Sequence, residues 1–375
     1  MDRRRFLVQG AGATLATSIA LPAFASIGPV PITIGQSAAL TGPQAGFGTA
    51  MRDGVQAAIA SVNKAGGING RPVQLLTLDD QGDKARTEAN VKALVDDPRV
   101  IGLTGFTTRP CSEAGALLAA RENIALVGAF SGTPLLYGDK AATTFTTRAS
   151  YEQEMEAIVR HYRQLGAQRF GFLHLEDARA TNVPLLESIL ARYGGQLVVT
   201  AGVDRKGTAL NAAAIKALDA NMPEALVILA NNAPLTTLLR DYAPRTMILP
   251  KTVISFVDRE KLLADLGKDA AGVGFSVVVP EYSREKYWIV REFLAQARES
   301  NVQVTPVSLE GFVTGLTLAQ GLRQVRTESR AALIEGMTRV SELDLGYTNL
   351  RYGRKQRAGS HFVDLSMATR ASSLI

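Results

Sequence analysis

The stretch that decides the fold is residues 32–83, ITIGQSAALTGPQAGFGTAMRDGVQAAIASVNKAGGINGRPVQLLTLDDQGD. Its first apolar residues predict a β-strand. The strand ends at Thr41-Gly42-Pro43, which predicts a loop. From Val55 to Val62, apolar residues recur at the spacing of a helix with one buried face. Gly66-Gly67 ends that helix, and residues 72–78 are a second apolar strand. The stretch therefore predicts one complete unit of strand, helix and strand.

The loop after the first strand is the first candidate for ligand contact. Strands that are joined through a helix run parallel, so this loop lies at the carboxyl edge of the predicted sheet. Open α/β sheets bind their ligands at that edge. The glycine-rich segment around Phe47 is therefore expected to face a ligand.

Length and composition indicate a globular chain with more than one core. The chain has 375 residues, of which 46% are hydrophobic and 20% are charged. One core rarely extends over so many residues, which favours two lobes. The net charge is +6, and Arg3, Arg4 and Arg5 against Asp2 contribute +2 of it. No basic run with interleaved aromatic residues follows residue 25, so we expect no nucleic-acid partner.

The N-terminus has the pattern of an export signal. Arg3-Arg4-Arg5-Phe6-Leu7 is a basic segment of the twin-arginine type, residues 8–21 are apolar, and Ala23-Phe24-Ala25 suits a signal peptidase. Residues 1–25 are therefore predicted to be a signal peptide that is cleaved near Ala25. The apolar run is shorter than the ~20 residues of a membrane span. The mature protein is expected to have no span and to be exported to the periplasm.

Two later loops carry small polar residues at the same sheet edge. Residues 106–109 follow a strand that ends at Thr104-Gly105, and residues 130–134 follow the strand 124–129. Each loop contains or precedes a proline that suits the start of a helix. Their backbone N–H groups and hydroxyls predict a site for a carboxylate-sized anion.

The second half of the chain repeats the order of elements without repeating the residues. A strand at 169–175, a loop at 176–181, a helix at 184–193 and a strand at 196–203 form the next unit. Later strands are predicted at 225–230, 246–255, 273–279, 350–352 and 360–365. The expected fold class is α/β, with two Rossmann-like lobes of parallel sheet joined by a hinge.

The first unit also carries a family resemblance. Leu40-Thr41-Gly42-Pro43, Gly46-Phe47-Gly48, the run from Asn63 to Arg71 and Asp79-Asp80 resemble the solute-binding proteins of branched-chain amino-acid ABC importers. These are type 1 periplasmic binding proteins, and the resemblance extends over about residues 30–366.

The resemblance implies domain limits and partners. A first lobe of residues 30–147 plus 280–345 and a second lobe of residues 148–279 plus 346–375 are expected. The implied partners are a small-molecule ligand, held between the lobes, and an inner-membrane ABC permease. No cofactor is implied.

The resemblance further implies the ligand contacts by position. In the first lobe and at the crossing they are Phe47, Thr107, Thr108, Arg109, Phe130, Ser131, Gly132 and Tyr151. In the second lobe they are Arg179, Asn232 and Phe256.

The expected ligand is an organic anion. The acid that receives the ligand ammonium in relatives falls near Phe256-Val257, where this sequence has no carboxylate. An unpaired ammonium in a closed cleft costs several kcal/mol. Arginine binds a carboxylate through two parallel hydrogen bonds. Arg109 and Arg179 facing each other across the cleft would therefore bind an aromatic acid or another carboxylate; in the alternative, both arginines point to solvent.

No catalytic or metal-binding pattern is present in the sequence. His161, His174 and His361 are scattered, and Cys111 is the only cysteine. No nucleophile elbow, zinc-protease motif or P-loop occurs, so neither an enzyme nor a metal site is expected. Two other classes stay open. One is a ligand sensor of the same fold that acts on a regulator or receptor, and the other is a Rossmann-type enzyme, although the dinucleotide fingerprint is missing.

Overall fold

The computed structural model of the chain describes residues 29–205, 211–242, 248–283 and 285–369. The predicted signal peptide lies outside these residues. The β-strands in the described residues are β1 (Ile32–Ala38), β2 (Val73–Asp79), β3 (Val100–Thr104), β4 (Ala125–Val127), β5 (Thr144–Phe145), β6 (Arg169–Leu175), β7 (Gln196–Val203), β8 (Ala225–Leu229), β9 (Lys251–Val253), β10 (Val273–Val277), β11 (Leu343–Asp344), β12 (Asn349–Leu350) and β13 (Asp364–Met367).

The α-helices in the described residues are α1 (Ala45–Lys64), α2 (Lys84–Asp96), α3 (Arg109–Arg121), α4 (Tyr151–Gln164), α5 (Arg179–Tyr193), α6 (Asn211–Asn221), α7 (Asn232–Asp241), α8 (Arg259–Leu266), α9 (Trp288–Ser300), α10 (Pro306–Arg323) and α11 (Arg330–Thr338). Short 3-10 turns lie at Pro134–Tyr137, Asp139–Ala141, Glu176–Ala178 and Gly267–Ala270.

The described residues form two main sheets. The first has the order β2-β1-β3-β4-β5 and is parallel throughout. The second has the order β13-β10-β9-β8-β6-β7 and is parallel except at its edge, where β13 runs antiparallel to β10. The predicted α/β fold with two lobes of parallel sheet is confirmed.

The first unit forms as the sequence predicts. α1 buries Met51, Val55, Ala58 and Val62 on one face, as its apolar spacing requires. The Asn63 side chain then binds the backbone N–H and the carbonyl oxygen of Val73, each at 2.8 Å, which fixes the end of the helix against β2.

α1 and α10 approach each other at backbone distance. A Cβ atom at Gly54 would lie 2.0 Å from the carbonyl oxygen of Ser308. On the other helix, a Cβ atom at Gly311 would lie 2.5 Å from the carbonyl oxygen of Met51. Only glycine fits at such a contact. The two helices pack on the first sheet and form much of the hydrophobic core there, which we call the first core and which includes Phe312 on α10.

The chain crosses between the sheets after β5, after β10 and after β12. The first and last crossings lie side by side, because Thr146 donates its N–H to the Arg357 carbonyl at 2.9 Å and accepts from the Gly359 N–H at 3.0 Å. The predicted limits of the lobes stay a prediction. Leu350 and Tyr352 belong to the first core, whereas β13 joins the second sheet.

Some predicted elements were wrong in extent. α5 begins at Arg179 and runs through Pro184, whereas the proline predicted a start at 184 and a loop before it. β9 covers only Lys251–Val253, and the predicted residues 246–247 lie outside the described part. The last strand is β13, Asp364–Met367, because pairing with β10 sets its register rather than the local apolar run at 360–365.

Candidate functional site

Aromatic side chains from both lobes meet at the carboxyl ends of the strands. The Phe47 ring centroid lies 5.5 Å from that of Phe130 and 5.7 Å from that of Phe256. Tyr151 completes the group, with its centroid 6.5 Å from that of Phe256. We call these residues the aromatic cluster; each is at most 9% exposed. Phe47, Phe130, Tyr151 and Phe256 were all predicted, and the structure brings them together.

Two glycines fix this geometry. A Cβ atom at Gly48 would lie 1.9 Å from the Ala39 carbonyl oxygen, so the start of α1 packs directly on the end of β1 and holds Phe47 at the cleft. A Cβ atom at Gly132 would lie 2.4 Å from Cδ1 of Tyr151. The Tyr151 N–H also donates to the Gly132 carbonyl at 2.8 Å, so this loop and the tyrosine form one rigid contact.

Two cavities share Phe47 in their walls. The first, the Glu310 cavity, has a volume of about 260 Å³, and its walls include Phe47, Phe130, Ser255, Ser276, Phe275 and Glu310. The second, the Asn232 cavity, has a volume of about 500 Å³, and its walls include Phe47, Arg205, Asn231, Asn232 and Phe256. Asp258 and Lys261 line both.

The predicted residues Thr107, Thr108, Ser131 and Gly132 are buried beside the aromatic cluster and line neither of these cavities; from their two loops only Phe130 does. Thr107 Oγ1 accepts from the Ala39 N–H at 3.4 Å. Thr108 caps α3 by accepting from the Cys111 N–H at 3.4 Å, and its φ of 64° is a strained conformation for a threonine. The Ser131 hydroxyl lies 3.3 Å from the Tyr151 hydroxyl.

The two predicted arginines do not grip one site together. Arg109 contacts Glu113 at 3.3 Å and donates to the Asp177 carbonyl of the other lobe at 3.4 Å. Arg179 lies 3.8 Å from Glu176 and donates to Thr200 at 3.3 Å, with its side chain 51% exposed. Neither arginine lines the Glu310 or the Asn232 cavity, so the expected arginine pair around an anion is not found.

The predicted Asn232 lines the cavity that carries its name, but its amide is used within the protein. It donates to the Asp258 carbonyl at 2.7 Å and accepts from the Asp258 N–H at 2.9 Å. This exchange fixes Asp258 at the entrance of α8, where it caps the Lys261 N–H at 3.0 Å. A Cβ atom at Gly46 would lie 3.6 Å from the second Asp258 oxygen, which therefore faces the first lobe.

A fully buried ionic network lies behind the aromatic cluster. The Arg148 guanidinium lies 4.9 Å from the centre of the Phe130 ring, and it pairs with Glu154 at 3.3 Å and with Glu310 at 3.4 Å. Arg148 also donates to the Ser255 hydroxyl. Burial lowers the pKa of Arg148, but the two carboxylates outweigh it and raise that pKa above its usual value. The network joins the first crossing to both lobes.

Glu154 is well satisfied, whereas Glu310 is not. Glu154 accepts from the Ser255 N–H at 2.7 Å, the Ser255 hydroxyl at 2.9 Å and the Ser276 hydroxyl at 2.6 Å. Oε1 of Glu310 accepts no hydrogen bond from a described residue. Burial raises the pKa of Glu310 to about 7, with Arg148 acting in the opposite direction.

The raised pKa of Glu310 predicts a pH dependence of stability. The folded state keeps the Glu310 carboxyl protonated up to about pH 7, whereas the unfolded chain releases this proton near pH 4.5. The protonated carboxyl therefore contributes fully to the free energy of unfolding below pH 4.5, and this contribution is lost as the pH rises through 7. In wild type, the free energy of unfolding should therefore fall by up to about 1.4 kcal/mol per pH unit in this range, and Glu310→Gln should remove that fall. Urea titrations at several pH values measure this difference, and the exposed control Glu299→Gln should leave the slope unchanged. An identical slope in wild type and Glu310→Gln would contradict it.

Sequence reasoning missed several residues of this site. No sequence pattern singled out Arg148, Glu154 or Glu310. A charged residue inside the apolar face of a helix is the signal that could have singled out Glu310, because residues 309–313 are otherwise apolar or small. Asp258 stands directly after the place where the sequence lacks an acid, and only the fold of the loop brings it to the cavities.

The part of the chain that the structure describes is residues 29–205, 211–242, 248–283 and 285–369. No group of histidine, cysteine, aspartate or glutamate side chains there could hold a metal ion. No helix there is both long enough and apolar enough to cross a membrane.

Solved structures share this fold over most of the chain. A possible leucine/isoleucine/valine-binding protein from Rhodopirellula baltica has a TM-score of 0.84 at 23% identity, over 92% of this chain and 96% of that one. A fatty acid ABC transporter substrate-binding protein from Thermomonospora curvata has a TM-score of 0.80 at 16% identity, over 93% and 92%. At these identities the likeness shows the fold.

A curated relative shares a shorter stretch. The Leu/Ile/Val-binding protein BraC3 of Rhizobium johnstonii is 40% identical over 82 residues, which is 22% of this chain and 22% of that protein. The family described as periplasmic binding protein matches residues 31–369. Its members are binding proteins and not enzymes. The chain therefore belongs to the periplasmic binding protein family, as a type 1 member related to the branched-chain amino-acid-binding proteins.

Proposed function

We propose that this protein is an exported solute-binding protein that captures a small organic carboxylate with an apolar or aromatic body between its lobes. It then delivers the solute to an ABC permease of the inner membrane. The observation that carries the proposal is the aromatic cluster, in which rings from both lobes meet beside two cavities that share Phe47.

The walls of the Glu310 cavity favour a ligand with an apolar body. Phe47, Phe130 and Phe275 stand there with a run of valines, Val277, Val278 and Val279. Aromatic faces and aliphatic side chains stabilise a buried apolar group by about 25 cal/mol per Å² of area that they remove from water. A purely polar solute would gain little from such walls.

Two basic side chains other than the predicted arginines line the cavities and could bind a carboxylate, although acids outnumber bases in the wall of the Glu310 cavity. Lys261 lines both cavities and pairs with Asp265 at 3.1 Å, with its side chain 61% exposed. Arg205 lines the Asn232 cavity and pairs with Asp177 at 2.7 Å. Exposed ion pairs contribute only about 0–1 kcal/mol. Either cation can therefore exchange its partner for a ligand carboxylate at small cost.

The names of one sequence relative and one protein of similar structure support a ligand with an apolar body and a carboxylate. BraC3 is named for leucine, isoleucine and valine, and the Thermomonospora curvata protein for a fatty acid. An aliphatic amino acid and a fatty acid share an apolar body and a carboxylate. The proposed ligand class keeps these shared features.

Calorimetric titration tests the ligand class. The mature protein is freed of bound solute by reversible unfolding and titrated with phenylacetate, benzoate, octanoate, succinate and leucine. Heat is expected from the carboxylates with apolar bodies. Heat from leucine alone would refute the preference for a simple carboxylate, and heat from succinate alone would refute the need for an apolar body.

Phe47→Ala is expected to weaken binding of whichever of these acids binds best by about 10- to 100-fold. The ring contacts both lobes and both cavities, so its loss removes apolar contact with the solute and with Phe256. The dissociation constant from the same titration measures the effect. Phe362→Ala, at a half-buried site outside the cavities, is the control and should bind as wild type does.

A further inference from the structure

We propose that the carboxylate of the solute binds at the N-terminus of α7, in the Asn232 cavity, and that its apolar body lies in the Glu310 cavity, which shares Phe47 with it. This inference rests on the proposed function and assigns a site to the carboxylate that it requires. The sequence predicted an anion site at residues 106–109 and 130–134, but the hydroxyl residues of these loops line neither cavity. The second lobe offers the site instead.

The N-terminus of α7 opens into the Asn232 cavity. Asn231 is the N-cap of this helix, and it lines the cavity together with Asn232 and Ala233, the first two helical residues. The first N–H groups of a helix have no partner within the helix, and they carry its partial positive charge. The Asn231 side chain makes no capping hydrogen bond to them. A carboxylate at this end would accept from these N–H groups directly.

Polar side chains without partners line the same cavity. Asn231 is 8% exposed, and its buried Oδ1 atom has no hydrogen bond to a described residue. Oγ1 of Thr236 is likewise buried without a partner, whereas the Thr237 hydroxyl donates to the Ala233 carbonyl at 3.2 Å. A hydroxyl can turn its proton toward an anion, and an amide can rotate its NH2 group toward one. Gln44 of the first lobe contributes a third such side chain, so both lobes reach the site.

Charge favours the Asn232 cavity for the carboxylate. Among the described residues, its wall has two bases and two acids, namely Arg205, Lys261, Asp258 and Asp265. The wall of the Glu310 cavity has two bases and four acids, namely Arg259, Lys261, Asp53, Asp258, Glu260 and Glu310. Acids remain in excess there even when Glu310 is protonated, and they would repel a carboxylate. The rings and valines of the Glu310 cavity therefore suit the apolar body.

Probe pairs of equal size test the proposal by calorimetry on the chain without its predicted signal peptide. Phenylacetate and octanoate carry a carboxylate, and phenylacetamide and octanamide carry a neutral amide in its place. In each pair that binds, the carboxylate is expected to bind at least about tenfold more tightly, because hydrogen bonds to a charged group are the stronger ones.

Asn231→Asp locates the carboxylate. The substitution keeps the shape of the side chain and places a negative charge where the ligand carboxylate would bind. Aspartate is as good an N-cap as asparagine and interacts favourably with a helix N-terminus, so the variant should be at least as stable as wild type. It should weaken binding of the carboxylates at least about tenfold and change binding of the amides less than about threefold.

Two further variants complete the test. Asn123→Asp adds the same charge at an exposed turn outside both cavities and should keep the wild-type affinities. Thr236→Val removes the unpartnered hydroxyl and should weaken binding of the carboxylates by at least about threefold more than binding of the amides. This second comparison decides if Asn231→Asp does not fold.

The outcomes separate this inference from the proposed function. A preference for carboxylates that survives in folded Asn231→Asp would overturn the assignment to α7 while the proposed function stands. Equal weakening of carboxylates and amides in that variant would show a structural effect alone and would also overturn the assignment. Equal affinity of wild type for both members of each pair, or no binding by any probe, would overturn the inference and the proposed carboxylate ligand together.

Discussion

Replacing Arg148 by methionine is expected to lower the free energy of unfolding by about 3–5 kcal/mol, the cost of breaking a buried ion pair by removing one partner. Arg148 and Glu154 are both fully buried, and Glu310 is 4% exposed. Without the guanidinium, the carboxylates lose the only cation that pairs with them in the described residues. Glu154 would keep its serine hydrogen bonds, but its negative charge would be left uncompensated.

Urea denaturation of Arg148→Met against wild type measures this loss. The matched control is Arg192→Met, because Arg192 pairs with Glu152 at 3.3 Å while its side chain is 47% exposed. An exposed pair of this kind contributes about 0–1 kcal/mol, so the control should lose no more than that. Equal losses in the two variants would show that the buried network does not have the stabilising role assigned to it.

The second large effect is expected for Gly54→Ala in α1. In most helix interiors this change gains up to about 1 kcal/mol, because alanine has the higher helix propensity. Here the added Cβ would lie 2.0 Å from the Ser308 carbonyl oxygen, a backbone atom of α10 that cannot move away by a side-chain rotation. α1 and α10 would have to separate, and overpacking of this kind costs about 1–3 kcal/mol or more. A net loss of about 2 kcal/mol is therefore expected.

Thermal or urea unfolding of the single variants gives the sign of the effect. Gly353→Ala is the control, because a Cβ atom there meets nothing within 4 Å. It should leave the free energy of unfolding within about 0.5 kcal/mol of wild type. Stabilisation by Gly54→Ala would mean that α1 and α10 are not packed at backbone distance.

Much of the first lobe could be predicted from the sequence, because its elements are set by local signals. The spacing from Val55 to Val62 and the stop at Gly66-Gly67 gave α1 and its buried face. In the second lobe, local signals were weaker. Pro184 favoured a helix start, but α5 already begins at Arg179, so tertiary packing outweighs the local preference of the proline.

In the candidate site, too, some residues could be predicted from the sequence and others could not. Phe47 and Phe130 stand in loops at strand ends, Tyr151 and Phe256 were expected from the resemblance, and the structure brings the four rings together. Arg109 and Arg179 were expected in the cleft from the resemblance, but each pairs with an acid three or four residues away, Glu113 and Glu176, and lines neither cavity. Arg148 could not be predicted, because Glu310, one of the two carboxylates that pair with it, is far away in the sequence.

Small-angle X-ray scattering tests most directly whether a solute is captured between two lobes. The protein without its predicted signal peptide is measured with and without the carboxylate that binds most tightly by calorimetry. Closure around a ligand that contacts both lobes should reduce the radius of gyration and sharpen the distance distribution. Phe47→Ala at the same total ligand concentration should show a smaller change. Identical scattering curves with and without a solute that demonstrably binds would contradict closure.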